Sequence, residues 1–465
     1  MSHTPSPQIR EIPSAALLSN GRFHVAVTAS GTGGSRRDWI ALSRWPADPV
    51  EDAHGFFIYL QDLDSGAMWS VGAAPVGNVG PRYDVVRDGG IFSISHENHG
   101  IAANLEIAVA RSFDAEVRRL RLRDISGKRR RIAATSYIEI ALNHPAGDAS
   151  HPAFSKLFVQ TEAAPEQNLL LARRRPRADG ERWPCMFHGI VGGTGVSWET
   201  DRLRFLGRGR GPDRPAALRL NAPLSRTTGN VLDPVFSLRA EIDIPQGIGV
   251  ELGFFLGAAD GRDAALDVAK RIPDVAAIRA ALDEARATEG LLTNLAISDD
   301  GSLVPSTAPD GRALAIPCDR PVAPAPAAHP QGHPAPQDAA EALQFWNGYG
   351  GFSADGSEYV IRMPWADGGP MRPPLPWINV ISNEHCGFLI SESGAGHTWC
   401  RNSQAKRLTP WSTDPVSDPH GEAIYIRDEA DGAFWSPTPG PAPAPCDYEA
   451  RHGFGYSTFT CDHRD

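Results

Sequence analysis

The sequence is short of the features that announce special environments. Its six cysteines (Cys185, Cys318, Cys386, Cys400, Cys446 and Cys461) are sparse for 465 residues and form no C-x-x-C pair, so a disulfide scaffold is excluded and reduced thiols are expected. Cys446, Cys461 and His463 lack the spacing of metal ligands, and neither a metal nor any other cofactor is expected. No apolar run reaches the roughly 18 residues of a membrane-spanning helix. The start of the chain lacks the charge and apolar stretch of an export signal; residues 1–9 read as a flexible tail and the location as cytoplasmic. A basic surplus is also missing: 45 Lys and Arg face 55 Asp and Glu, which argues against a nucleic-acid partner. The runs Lys128–Arg131 and Arg173–Arg175 are accordingly read as solvated strand or loop charges. Methionine is scarce, at 5, against 46 Gly and 40 Pro, a balance that excludes an all-α fold and favours many short strands.

What the chain does have is an internal recurrence. Asn20, Ser30-Gly31, Gly33, Trp45, Asp48-Pro49, Asp52, Gly55, Tyr59, Asp62, Gly66 and Trp69-Ser70 return in order as Asn383, Ser393-Gly394, Gly396, Trp411, Asp414-Pro415, Asp418, Gly421, Tyr425, Asp428, Gly432 and Trp435-Ser436. The offset is 363 residues at first and 366 afterwards, one three-residue insertion. Such order among rare residue types marks two copies of one structural unit.

The pattern predicts a mainly β fold with a large antiparallel β-sandwich over 10–261, carried by period-two alternation in Arg119–Arg123, Leu218–Leu220 and Ala240–Ile244. Ser126-Gly127 is read as the turn of a hairpin returning through Ile138, Ile140 and Leu142. Two short joining helices are expected over 262–290, broken at Pro273-Asp274, with Val275, Ile278 and Leu282 at helical spacing. A proline-rich linker occupies 291–340, with nine prolines between Pro305 and Pro336. An incomplete second sandwich follows over 341–465.

Several motifs then carry a resemblance. Phe345–Phe352, Pro376–Ile381, Ser391–Gly396 and Leu408–Pro415 resemble the opening of the sandwich domain of glycoside hydrolase family 94, formerly glycosyltransferase family 36. Leu18–Arg22 and His151–Val159 resemble the earlier of two such sandwiches in cyclic β-1,2-glucan synthases. The resemblance implies a supersandwich fold and chemistry on β-glucosidic bonds by inverting phosphorolysis. In that family the general acid and phosphate site lie in a helical barrel after the sandwich, which has no counterpart here. It implies β-glucan or gluco-oligosaccharide as ligand and a separate catalytic chain as one macromolecular partner; the unpaired strand edges expected of an incomplete second sandwich make a homodimer the other.

No residue is assigned a catalytic role. Inverting glycoside chemistry needs a raised-pKa acid beside the scissile oxygen; Glu392, Asp414, Asp418, Asp428 and Glu429 are the candidates, but sequence does not place two carboxylates in space, and the three aspartates stand at recurring positions where turn capping is the simpler role. Trp45, Trp69, Trp411 and Trp435 recur and are read as core. Trp377 and Trp399 do not recur; with Asn379, Asn383, Arg401 and Asn402 they combine ring faces and hydroxyl-binding donors, and these six form the candidate carbohydrate site. Ser30–Ser35 is read as a β-turn rather than a phosphate loop, and His96 and His99, three apart on a strand, as no metal site.

Overall fold

Alternating apolar residues set the strands, and in the computed structural model they assemble into antiparallel sheets. It describes residues 15–46, 51–219, 222–287, 342–366 and 368–461, with the backbone alone of 294–297 and 303–305. The tail over 1–9, Asp48-Pro49, Leu220, Cys318, His463 and most of the stretch read as linker lie outside the described residues. Two units are separable, Met1–Pro321 and Val322–Asp465.

In the first unit the strands begin with β1 (Ala15–Ser19), β2 (Phe23–Thr28), β3 (Gly33–Arg37), β4 (Ile40–Ser43), β5 (Phe57–Asp62) and β6 (Met68–Ser70). They continue with β7 (Arg82–Asp88), β8 (Ile91–Asn98), β9 (Ile101–Val109), β10 (Ala115–Asp124) and β11 (Arg130–Asn143). Next come β12 (Val159–Ala164), β13 (Leu169–Arg174), β14 (Cys185–Val191), β15 (Thr194–Asp201), β16 (Pro234–Ile244) and β17 (Gly249–Ala259). Two more, β18 (Asn294–Ile297) and β19 (Leu303–Pro305), lie within the stretch read as linker; the chain there is still free of proline until Pro305, and β18 pairs with β1.

An 11-stranded sheet follows the order β15-β16-β11-β4-β3-β2-β1-β18-β19, with β5 and β6 branching from β11. An 8-stranded sheet follows β12-β13-β14-β17-β10-β9-β8-β7. Their inner faces share one core, in which Leu18, Phe23, Val25, Ile138 and Phe236 meet Phe92, Ile94, Leu105, Ile107 and Leu120. The Ser126-Gly127 turn does not close a hairpin: β10 pairs with β9 and β17, while β11 pairs with β4, β5 and β16. Period-two alternation gave the buried face of β10 at Leu120 and Leu122, whereas β11 is buried on both faces, Tyr137, Glu139 and Ala141 as well as Ile138, Ile140 and Leu142, and the two strands enter opposite sheets. Of the alternation read over Leu218–Leu220, Leu218 belongs to a 3-10 turn, Ala216–Leu218, rather than a strand.

Helices α1 (Pro145–Ser150), α2 (Pro152–Lys156) and α3 (Arg202–Leu206) are too short to show a sequence period. They frame a buried ionic network: Glu139 accepts from Arg202 (2.9 Å), Tyr137 Oη (2.9 Å) and Arg44 (3.3 Å), and Asp233 accepts from Lys156 (2.7 Å) and Arg202 (3.1 Å). Burial opposes ionisation of Glu139, but Arg202, His54, Lys156 and Arg44 outweigh it and hold its carboxyl far below the usual range. Helices α4 (Arg262–Ala269) and α5 (Val275–Arg286) cover part of the outer face of the 8-stranded sheet, with Ile278, Ala281, Leu282 and Ala285 buried against Val117, Phe187 and Phe255. Asp274 caps α5 by accepting from the Ala277 N–H at 2.9 Å. Within the basic runs, Arg130 and Arg174 depart from the solvated reading. Arg130 pairs with Asp62 while Arg129 and Arg131 stay exposed, and Arg174 is buried against the Ser155 carbonyl.

The second unit contains β20 (Gly350–Phe352), β21 (Glu358–Met363), β22 (Trp365–Ala366), β23 (Gly369–Pro370), β24 (Ile378–Ser382) and β25 (Cys386–Ser391). It continues through β26 (Gly396–Cys400), β27 (Ile426–Arg427), β28 (Phe434–Trp435), β29 (Tyr448–Gly453) and β30 (Tyr456–Cys461). Its main sheets are β20-β21-β29-β30 and β24-β25-β26. A small core gathers Ile361, Met363, Ala444, Tyr448 and Ala450.

Candidate carbohydrate-binding surface

The sheet β24-β25-β26 carries all six candidate residues or borders them. Ile378 opens β24 opposite Ser391, and Ser382 closes it opposite Gly387, about 13 Å away at the usual rise per strand residue. Asn383 turns the chain into β25, its Oδ1 accepting the N–H groups of His385 (2.8 Å) and Cys386 (2.9 Å). Arg401 follows β26 with φ 63° and donates its N–H to the His385 carbonyl at 2.9 Å, which brings it to the same end as Asn383. Asn402 caps the next turn through Gln404 (3.0 Å) and Ala405 (2.7 Å). Asn383, Arg401 and Asn402 thus form one exposed rim, and no described residue pairs with the Arg401 guanidinium.

Trp399 lies behind this rim. Its ring crosses Gly387, where a Cβ would approach within 2.4 Å, and it is only 9% exposed, so packing accounts for most of its surface. His397 sits beside it (centroids 5.2 Å) and stacks on Trp411 at 5.2 Å. Burial lowers the pKa of His397, which favours the neutral ring within this aromatic row.

Trp377 and Asn379 stand at the opposite end of β24. The Trp377 N–H donates to Glu392 at 2.8 Å, and its ring meets Tyr359 edge-on at 5.7 Å. Asn379 donates to the carbonyls of Gly453 and Tyr456 (2.9 Å each) and contacts Ser457 Oγ at 3.1 Å, pinning β24 to the turn between β29 and β30. The fold therefore groups Asn383, Arg401 and Asn402 with Trp399 nearby, and sets Trp377 and Asn379 apart.

The carboxylates are occupied by structure. Glu392 is buried and tied to Trp377; Asp414 caps Val416 and Ser417; Asp418 accepts from Ser393 Oγ at 2.5 Å; Asp428 caps a turn at Ala430; Glu429 is an exposed partner of Arg427. Of the four recurring tryptophans only Trp69 is core, while Trp45, Trp411 and Trp435 are half-buried. His96 points inward, accepting from the Gly80 N–H at 3.0 Å, and His99 packs its ring against Trp69.

One polar surface went unread in the sequence. Beyond α5 the outer face of the 8-stranded sheet holds a groove of about 400 Å³ lined by Arg82, Asp84, Glu97, Asn104, Arg121 and Arg123. The alternating arginines of β10 were its signal, but alternation alone does not tell an open face from a helix-covered one.

The segments sharing recurring residues also share local geometry. Pairing of β1 with β2 and β2 with β3 has the same register as β24 with β25 and β25 with β26 at an offset of 363. Asn20 caps Arg22 and Phe23 as Asn383 caps His385 and Cys386. Ser30 donates to Asp52 (2.8 Å) as Ser393 does to Asp418, and both aspartates have positive φ, 47° and 48°. Leu60 faces Trp69 as Ile426 faces Trp435.

Cyclic β-(1,2)-glucan synthase NdvB of Rhizobium meliloti is 30% identical over 98% of this chain, which spans 21% of that protein. N,N'-diacetylchitobiose phosphorylase of Vibrio furnissii is 35% identical over 25% of the chain and 14% of its own length. Solabiose phosphorylase of Paenibacillus borealis is 23% identical over 58% of the chain and 34% of its length. The chain thus spans about a fifth of the synthase and smaller to moderate shares of the phosphorylases. The description "Glycosyl hydrolase 94, supersandwich domain" matches residues 2–275 and 357–465, and on this match the chain belongs to the glycosyl hydrolase 94 supersandwich family.

Proposed function

We propose that the chain is a β-glucan- or gluco-oligosaccharide-binding module, without catalysis of its own, and that its two matching segments are copies of one unit. The observation that carries the binding role is the exposed rim of Asn383, Arg401 and Asn402 beside the Trp399–His397–Trp411 row. Asn383 and Asn402 spend their side-chain carbonyls on turns, which leaves amide and guanidinium donors for sugar hydroxyls. In this reading Trp377 and Asn379 hold the far end of the sheet. The relatives include a cyclic β-(1,2)-glucan synthase, which supports a glucan as the ligand class. Affinity is expected near the millimolar level, about −4 kcal/mol, because an open rim buries little sugar surface. Titration of β-1,2- and β-1,4-gluco-oligosaccharides by NMR tests it: shifts gathered at residues 383–402 and lost in Arg401→Ala support the site, whereas shifts gathered at the Arg82–Arg123 groove move binding to the first unit.

A second reading concerns macromolecular partners, either a second copy or a separate helical-barrel chain. It is favoured by the open core face of the second unit, where Phe388 is 38% exposed. Sedimentation alone and with a family 94 barrel domain distinguishes them.

A further inference from the structure

The second unit gathers four cysteines, and the fold sets two of them face to face. We propose that Cys386 and Cys400 form an oxidative modification site that closes to an intrachain disulfide. The register of β25 and β26 places them directly opposite one another. The adjoining pair, His385 and Arg401, is the hydrogen-bonded one, since the Arg401 N–H donates to the His385 carbonyl. Cys386 and Cys400 are therefore a non-hydrogen-bonded pair, and their N–H groups go elsewhere, to Asn383 Oδ1 (2.9 Å) and the Lys406 carbonyl (3.0 Å) respectively. In such a pair the Cα atoms lie about 4.5 Å apart with both side chains on one face, inside the roughly 4.4–6.8 Å span that a disulfide bridges.

Access favours the same pair. Both thiols are free, with Cys386 exposed and Cys400 half-buried. Cys185 is buried, its thiol pushed up to about 11 by burial, and burial together with neighbouring Cys461 pushes Cys446 up to about 12, so both stay protonated and slow at neutral pH. The sheet itself has no need of cysteine here, because Phe23 and Arg37 occupy the equivalent positions in the first unit.

A low-molecular-weight disulfide such as oxidised glutathione supplies the oxidant. The Cys386 thiolate attacks one glutathione sulfur and expels one reduced glutathione; the Cys400 thiolate then attacks the Cys386 sulfur of the mixed disulfide and expels the second. Two protein thiols become one disulfide as one small disulfide becomes two small thiols. The bond clamps the Asn383 turn to the Arg401 end of β26. It stands independently of the glucan reading.

The test is to incubate the full chain in glutathione buffers of rising oxidation, quench with acid, alkylate, and map peptides without reduction. The expected result is loss of alkylation at Cys386 and Cys400 together, a linked peptide lighter by two hydrogens in monomeric protein, and Cys185 still alkylated. Cys386→Ser must leave Cys400 open to alkylation or to a glutathione adduct, and Cys400→Ser must give the mirror result. Persistent alkylation of both thiols, separate adducts without a link, or a link between two chains would each overturn the proposal.

Discussion

The sheets β1-β2-β3 and β24-β25-β26 have one register and one set of turns, yet their faces meet different surroundings. In the first unit Ala16, Leu18, Phe23, Val25 and Val27 are at most 2% exposed, because β9 and β10 lie across β1 and β2. Their equivalents in the second unit are Asn379, Ile381, Cys386, Phe388 and Ile390, and none is buried. Strand β8 is paired on both sides, by β7 and β9, whereas among the described residues β30 pairs only with β29. Local turn chemistry and pairing thus suffice to make the sheet, and burial of its core face is a separate event supplied by other strands. That separation gives the comparison its sharpest tests.

The largest effect is expected from a charge on the shared face. Val25→Asp buries an unpaired carboxylate and should cost the first unit about 4–5 kcal/mol. Phe388→Asp, at the equivalent position, should change stability by less than about 1 kcal/mol. Urea unfolding followed residue by residue measures both, and equal losses would break the contrast. Next in size is Glu139→Ala, which takes from Arg44 and Arg202 one of the two buried carboxylates each is paired with, leaving Asp148 and Asp233, and should cost about 3 kcal/mol in the first unit alone.

The likeness is tested by glycine. At Gly33 a Cβ would meet the Ala26 carbonyl oxygen at 2.0 Å, and at Gly396 the Leu389 carbonyl oxygen at 2.2 Å. Gly33→Ala and Gly396→Ala should each cost about 1–3 kcal/mol in their own unit; a harmless change at either position would separate the two turns. At neutral pH the smallest effect is that of His188. Burial pushes it down to about 3, against a hydrogen bond to the Phe255 carbonyl that favours charge, and with help from Arg118. The unfolded chain binds this proton first, so the histidine's contribution is complete above pH about 6.5 and is lost as pH falls towards about 3. His188→Gln should flatten that slope in the first unit and leave the second unit unchanged, as pH-dependent unfolding would report.

What could be read from the sequence was the chemistry that acts over a few residues. The side-chain oxygens of Asn20 and Asn383, and of Asp62 and Asp428, accept from N–H groups two or three residues on, so their recurrence signalled shared local geometry. Pairing over long separation was not legible. The alternation of β10 gave its buried face at Leu120 and Leu122, but could not say that β11 is covered on both faces or that the two strands enter different sheets. Among the site residues, the turn chemistry of Asn383 and Asn402 is legible in the sequence, whereas the bonds of Asn379 to Gly453 and Tyr456 span more than seventy residues and are not. Nothing short of the register of β25 and β26 could have paired Cys386 with Cys400.

Amide hydrogen exchange on the intact chain compares β2 with β25 most directly. The account predicts that Phe23–Thr28, sealed under β9 and β10, opens only with global unfolding of its unit, whereas Cys386–Ser391, with the same register and an uncovered face, exchanges at least about 100-fold faster through local opening. Equal protection of the two strands in monomeric protein would contradict it.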